Sequence, residues 1–316
     1  MSVRVSALGE CMVEIRHIDP ETARFSFGGD TLNTAIYLTR LGFPTRFVTA
    51  LGDDPYSARM LAGWRAEGVR TDAVRIAPGR LPGMYVIETS PDGERRFLYW
   101  RTDSPARDIF DAEHAVATTG SLLETDVLFL SGITLSLYGP AGLWRLFGAL
   151  KEAKRRGIRI VFDTNYRARN WPDPSIARTA YGGLAGVIDV MLAGEEDIAL
   201  LFGRSDTDVA LREWLDFERC EVVLKCGSGD SRIWAEGREW RASAEHVDKV
   251  VDTTAAGDSF AAAFLAARLS GAAPDEAARA GHRLAAEVIR HPGAIIPITA
   301  MPNLALVTES TSAIVP

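Results

Sequence analysis

Six short runs along the chain are apolar almost without interruption and rich in β-branched residues: 3–9 (VRVSALG), 45–52 (TRFVTALG), 126–132 (DVLFLSG), 158–163 (IRIVFD), 189–194 (DVMLAG) and 221–227 (EVVLKCG). Runs of that length without polar alternation predict strands covered on both faces. Between them lie stretches of helical period. The clearest, 139–157 (GPAGLWRLFGALKEAKRRG), has Pro140 where a first turn tolerates it and Gly157 where a helix stops. Strand then helix, repeated, predicts a mostly parallel α/β sheet between helical layers. Two segments break the rhythm. Residues 10–28 and 82–101 read as antiparallel strands, the second a hairpin turning at Pro91-Asp92-Gly93. Such inserts predict a small sheet over the ends of the main strands, serving either as a lid or as a plain edge hairpin. Another hairpin is expected at 232–242, turning at Glu236-Gly237. Without a repeat, low-complexity tract or linker, residues 1–316 read as one domain.

Sheets of this kind gather ligands at the carboxyl ends of their strands. Here those ends read Gly52-Asp53-Asp54, Ser131-Gly132, Asp163-Thr164-Asn165, Gly194-Glu195 and Lys225-Cys226-Gly227, polar and rich in glycine. A composition of 47% hydrophobic and 24% charged residues changes nothing in that picture, but a formal charge of −7 does. It leaves no basic face for nucleic acid, so an anionic ligand must be met by individual cations and backbone amides. Cys11, Cys220 and Cys226 lack the spacing of a zinc site. Cys220 and Cys226 bracket a predicted strand and so stand roughly 20 Å apart, beyond disulfide reach. Reduced thiols, no apolar leader and no membrane-length apolar run together predict a cytoplasmic protein without a membrane partner.

The candidate chemistry lies in 252–260, DTTAAGDSF. Ala255-Ala256-Gly257 supply small side chains where an apolar, alanine-rich helix begins, and the first turn of a helix has unpaired amides at the positive end of its dipole. Asp258 in that turn could accept a proton from an attacking hydroxyl while the amides absorb charge on a phosphoryl group. The plain alternative is a capping carboxylate on a buried helix. At 25–42, FSFGGDTLNTAIYLTRLG places Gly28-Gly29-Asp30 before a helix carrying Asn33, a setting for a polyhydroxylated ligand.

GGDTLNTAIYLTRLG and DTTAAGDSFAAAFLA together resemble the two signature motifs of the ribokinase-like, or PfkB-type, carbohydrate kinases, and the likeness runs in order from ALGE at 7–10 to GAIIP at 293–297. Within the family, GGDTLNTA, FLYWR, LSGIT (130–134), DTNYR (163–167) and DTTAAGDSF are most similar to members that phosphorylate a keto-deoxy sugar acid. The resemblance implies a three-layer α/β/α fold with a small β-sheet lid and transfer of phosphate from ATP to a terminal hydroxyl. Asp258 matches the catalytic base and 255–258 the anion hole, formed by Ala255, Ala256, Gly257 and Asp258 itself. Substrate contacts carry over to Gly29, Asn33, Tyr85, Tyr99, Arg101 and Arg167. A sugar acid also needs a cation, and Arg101 and Arg167 offer planar, doubly donating ones.

For ATP the resemblance implies Asn165, Arg167, Lys225, Gly227, Gly229 and His282, beside Ala255, Ala256 and Gly257. By composition alone Lys225 is equally a solvated lysine at a turn, and His282 equally a packing residue. Many relatives carry Asn-x-x-Glu where this chain has Gly194-Glu195-Glu196-Asp197. Magnesium is expected with ATP, with Asp197 reaching it through water, and parts of the family need a monovalent cation as well. A neutral-sugar kinase for fructose or ribose, a kinase for the galactonate epimer, and a non-catalytic sensor are the competing readings. A dinucleotide oxidoreductase is disfavoured, because ALGECM has one glycine where that loop needs three. Apolar alternation in GMYVIE suggests a homo-oligomer joined through the lid.

Overall fold

The computed structural model describes residues 3–19, 21–89 and 95–304. Its strands are β1 (Val5–Leu8), β2 (Met12–His17), β3 (Ala23–Gly28), β4 (Thr45–Gly52), β5 (Val74–Ala77), β6 (Met84–Thr89), β7 (Arg95–Trp100), β8 (Val127–Ser131), β9 (Arg159–Asp163), β10 (Val190–Gly194), β11 (Glu221–Lys225), β12 (Ser231–Ala235) and β13 (Arg238–Ala242). The helices are α1 (Asp30–Arg40), α2 (Pro55–Ala66), α3 (Ala115–Leu122), α4 (Gly132–Leu135), α5 (Pro140–Arg155), α6 (Pro174–Gly182), α7 (Glu195–Phe202), α8 (Thr207–Trp214), α9 (Ala256–Leu269) and α10 (Pro274–Val288). All six apolar runs became strands of one nine-stranded sheet, ordered β13-β12-β11-β10-β9-β8-β1-β4-β5. From β11 to β5 every pairing is parallel, and β12 and β13 add the antiparallel edge expected at 232–242. Its turn carries positive φ at Glu236 (56°) and Gly237 (74°), the conformation a two-residue hairpin demands.

Why the runs lack polar alternation is visible in the packing. Successive side chains of a strand point to opposite faces, and here both faces are interior. Val127 and Phe129 of β8 join one core with α1, α2, α9 and α10, while Leu128 and Leu130 join a second with α3 to α8. Val190 and Leu192 against Met191 and Ala193 divide likewise on β10. Each large side chain so enclosed contributes about 1.5–3 kcal/mol. Helix α9 is buried at every residue from Ser259 to Ala267, which is what a helix apolar all round requires. Gly281 of α10 lets it lie close: a Cβ there would come 2.7 Å from the Phe260 ring.

The two inserts form a separate four-stranded sheet, β3-β2-β6-β7. β2–β3 and β6–β7 are antiparallel as expected, but the seam between them, β2–β6, is parallel. The chain passes through α1, β4, α2 and β5 between the two inserts, and a long crossover of that kind permits a parallel join that a hairpin cannot make. The turn expected at Pro91-Asp92-Gly93 lies outside the described residues. The short β5 was not anticipated, since VRIA is too brief and too exposed to give a pattern.

Candidate active site

A cavity of about 520 Å³ opens between the carboxyl ends of the main strands and the inner face of the small sheet. Its floor is the start of α9. Ala255 sits in the left-handed region (φ 62°, ψ 15°) with no side-chain cap on the helix, a conformation that costs a non-glycine residue about 1–3 kcal/mol. The twist aims the first turn into the cavity, and no acceptor among the described residues meets the Gly257 and Asp258 amides. The preceding loop is fixed by Asp252, which is buried and accepts from the Thr254 amide (3.0 Å) and hydroxyl (2.6 Å) and from the Gly293 amide (3.0 Å). Arg16 of β2 reaches across from the lid to the same carboxylate at 3.2 Å.

Asp258 keeps part of its surface open to the cavity. Asn33 Nδ2 donates to its Oδ2 at 2.8 Å, and Thr34 holds its backbone carbonyl at 3.2 Å. Desolvation, then the nearby Asp30 carboxylate and Asp163, raise its pKa to about 7, against the Asn33 hydrogen bond and the Lys225 charge. Asp30 is raised too, mainly by desolvation, although Asn165 Nδ2 donates to it at 2.7 Å. Asn165 is itself strained, with φ 28°. Lys225 is no solvated lysine: its ammonium lies 2.7 Å from Asp163 Oδ2 and would be 3.7 Å from a Cβ placed on Gly257. An acid raised to about 7 beside a lysine and two amides that meet no acceptor among the described residues is an arrangement that could accept a proton next to an anion.

The opposite wall belongs to the lid. Tyr85 and Tyr99 face each other across β6 and β7, with ring centroids 5.6 Å apart, and the Tyr85 hydroxyl donates to Glu14 Oε2 at 2.5 Å. Gly28 makes room for that hydroxyl, since a Cβ there would stand 2.1 Å from it. Gly29 leads into α1 with its Cα so near the β1–β2 link that a Cβ would lie 2.3 Å from the Glu10 carbonyl oxygen. Arg101 is bound to the carboxylate of Glu10, a side chain only 1% exposed. Arg167 contacts Asp197 at 3.3 Å. Asp197, raised in pKa chiefly by desolvation, also accepts from Thr164 at 3.0 Å and folds over Gly194, where a Cβ would come 2.9 Å from its Oδ2. The departure from Asn-x-x-Glu is thus a matched pair here, a side chain at position 194 requiring Asp197 to shift.

Thus Gly29, Asn33, Tyr85, Tyr99, Arg101, Asn165, Arg167, Asp197, Lys225, Ala255, Ala256, Gly257 and Asp258 all line one cavity. Gly227 and Gly229 do not; they lie exposed on the loop after β11. Nor does His282, which is 7% exposed, packs edge-on against Phe260 and shares a 2.8 Å hydrogen bond with Ser231. The charged residues that sequence reasoning passed over are Glu10, Glu14, Asp30, Asp163 and Arg169, which also line the cavity. Asp30 and Asp163 stood in quoted strand-end motifs, whereas Glu10 and Arg169 gain meaning only from their tertiary neighbours. Among the described residues no cluster of three or more His, Cys, Asp or Glu is arranged to hold a metal, and no helix is long and apolar enough to cross a membrane.

The sequence pattern of the pfkB family carbohydrate kinases matches residues 4–301. The 2-dehydro-3-deoxygluconokinase of Dickeya dadantii is 39% identical over 94% of this chain and 98% of its own. The 2-dehydro-3-deoxygluconokinase of Escherichia coli K12 is 37% identical over 96% of this chain and 100% of its own. A fructokinase with bound ATP from Xylella fastidiosa superposes with a TM-score of 0.81 at 21% identity, covering 97% of each chain, a likeness of fold. Sheet, lid, cavity and sequence therefore agree, and the chain belongs to the pfkB family of carbohydrate kinases.

Proposed function

We propose that this chain transfers the terminal phosphoryl group of ATP to the C6 hydroxyl of 2-dehydro-3-deoxy-D-gluconate, giving 2-dehydro-3-deoxy-6-phosphogluconate and ADP. The observation that carries the reading is Asp258, a carboxylate in the first turn of α9 that is held by Asn33 and stands beside the Gly257 and Asp258 amides, which meet no acceptor among the described residues. Asp258 takes the hydroxyl proton as the new O–P bond forms and the bond to ADP breaks. The amides of Gly257 and Asp258, with Lys225, meet the charge on the transferring group. Tyr85, Tyr99 and the lid exclude water, so that phosphate passes to the sugar. The kinase relatives at 37–39% identity support the choice of substrate.

The cavity's titratable lining holds six carboxylates (Glu10, Glu14, Asp30, Asp163, Asp197 and Asp258) against four cations (Arg101, Arg167, Arg169 and Lys225). Two anionic ligands therefore need positive charge from outside, which magnesium bound with ATP supplies. Among the described residues no carboxylate cluster is arranged to hold it, so the phosphates would carry the ion, with Asp197 and Asp163 placed to hold its water. The decisive test is a panel of acceptors with ATP and magnesium. Greatest kcat/KM on 2-dehydro-3-deoxygluconate is expected; a higher value on fructose, ribose or the galactonate epimer would overturn the assignment. Repeating the panel in potassium and in tetramethylammonium buffers reads any monovalent-cation requirement. Three free thiols suit cytoplasmic work on ATP. The outer lid groove bearing Phe25, Leu81 and Trp100 fits a second copy of the chain, and light scattering should show a homo-oligomer.

A further inference from the structure

Of the four cations lining the cavity, three already face a carboxylate of the protein: Arg101 meets Glu10, Arg167 meets Asp197 and Lys225 meets Asp163. Arg169 does not. Among the described residues its guanidinium meets only aromatic groups, donating from Nη2 to the Tyr99 hydroxyl and lying 4.4 Å from the Tyr99 ring centroid and 5.5 Å from that of Phe97. We propose that Arg169 is a specificity-determining residue of this kinase, the cation that receives the carboxylate of the sugar acid. The inference rests on the substrate class proposed above and names the side chain that selects it.

Charge pairing carries the argument. A carboxylate approaching Arg101 also approaches Glu10, which is buried and cannot move away, so attraction and repulsion largely offset. Arg167 is balanced in the same way by Asp197. Arg169 brings uncompensated charge, and its aromatic platform leaves most of its five N–H donors available for a two-point contact. The platform also fixes the side chain, so less rotamer entropy is lost on binding. Arg169 lies on the segment after β9 and leans on β7 of the lid, Asp258 lies at the start of α9, and both line the same cavity. A six-carbon acid carries its carboxylate and its reacting hydroxyl at opposite ends, so one cavity that holds both residues can engage both groups.

The experiment compares 2-dehydro-3-deoxygluconate with 3-deoxyfructose, in which the carboxylate is replaced by a hydroxymethyl group. Arg169→Gln is expected to lower kcat/KM for the acid about 10- to 100-fold, mainly through KM, and to leave the neutral analogue and the KM for ATP within about 3-fold. Arg169→Lys, which keeps the charge but not the planar fork, should recover part of the loss on the acid. Equal losses on acid and analogue would show that Arg169 merely props Tyr99 and would overturn the proposal. A wild-type enzyme active on the acid, with an unchanged KM in Arg169→Gln, would also overturn it. A wild-type enzyme that does not prefer the acid to the analogue would remove the substrate assignment itself, and the proposal with it. Arg169 is exposed, so both variants should melt within about 2 °C of wild type.

Discussion

The two sides of the cavity are made differently. The α9 side is backbone: unpaired amides, a left-handed alanine and one carboxylate, seated on a helix buried from Ser259 to Ala267. The lid side is made of side chains, Tyr85 facing Tyr99 across β6 and β7 and Arg101 just past β7 bound to Glu10 just before β2, on a sheet whose own core among the described residues is Met12, Tyr85 and Ile87. The proposed chemistry would then sit on the part that cannot yield, and the proposed recognition on the part that has little holding it. Substitutions should therefore divide, with α9 changes acting on kcat and lid changes acting on KM.

The sharpest test of that division is Asp258→Asn. Loss of a positioned base should lower kcat by about 10³- to 10⁴-fold while ATP still binds by calorimetry. The wild-type kcat/KM should rise with pH through about 7, since the ionised carboxylate is the proposed base. The same shift has a cost in stability. A carboxyl whose folded pKa lies above its unfolded value favours the fold below the unfolded pKa, and that contribution is lost as pH rises through the folded pKa. At pH 8 the Asn variant should therefore melt about 2–4 °C higher than wild type by calorimetry; a lower Tm would contradict the strained-carboxylate account.

Arg16→Met tries to break the division, because Arg16 is a lid residue that grips Asp252 in the loop leading to α9. A drop of about 10-fold in kcat with little change in the KM for the sugar acid is expected. An effect on KM alone would mean that the two sides act independently. Gly28→Ala should do the reverse: its Cβ displaces the Tyr85 hydroxyl, raising the KM for the sugar acid about 10-fold with kcat within about 3-fold. The smallest effect belongs to Ala255→Gly, which relieves a positive φ and should raise Tm by about 1–2 °C with kcat within about 3-fold in steady-state assays.

Most of the α9 side was legible because its parts are consecutive. Ala255, Ala256, Gly257 and Asp258 occupy one motif, and their chemistry follows from where a helix begins. Lys225 was legible only as a position; its role depends on Asp163, 62 residues earlier in the chain. The lid side was legible as residues but not as charges. Arg101 and Arg167 look like free cations until Glu10 and Asp197 are placed beside them. Arg169 was overlooked because nothing in ARN marks it, and its standing comes from what the other two arginines already hold. The parallel β2–β6 seam was hidden for a similar reason, since direction of pairing is settled by the path of the intervening chain.

The enclosure of α9 has a kinetic side. Amides deep in such a helix lose their protons to solvent only when the whole core opens, yet the same helix begins with two N–H groups that nothing among the described residues accepts. Slowly and rapidly exchanging hydrogens can thus lie within a few residues of each other, Gly257 and Asp258 on one side and Phe264 on the other. Fast exchange there reports not flexibility but readiness, and an arriving phosphate would register as silence at two positions in an otherwise motionless helix.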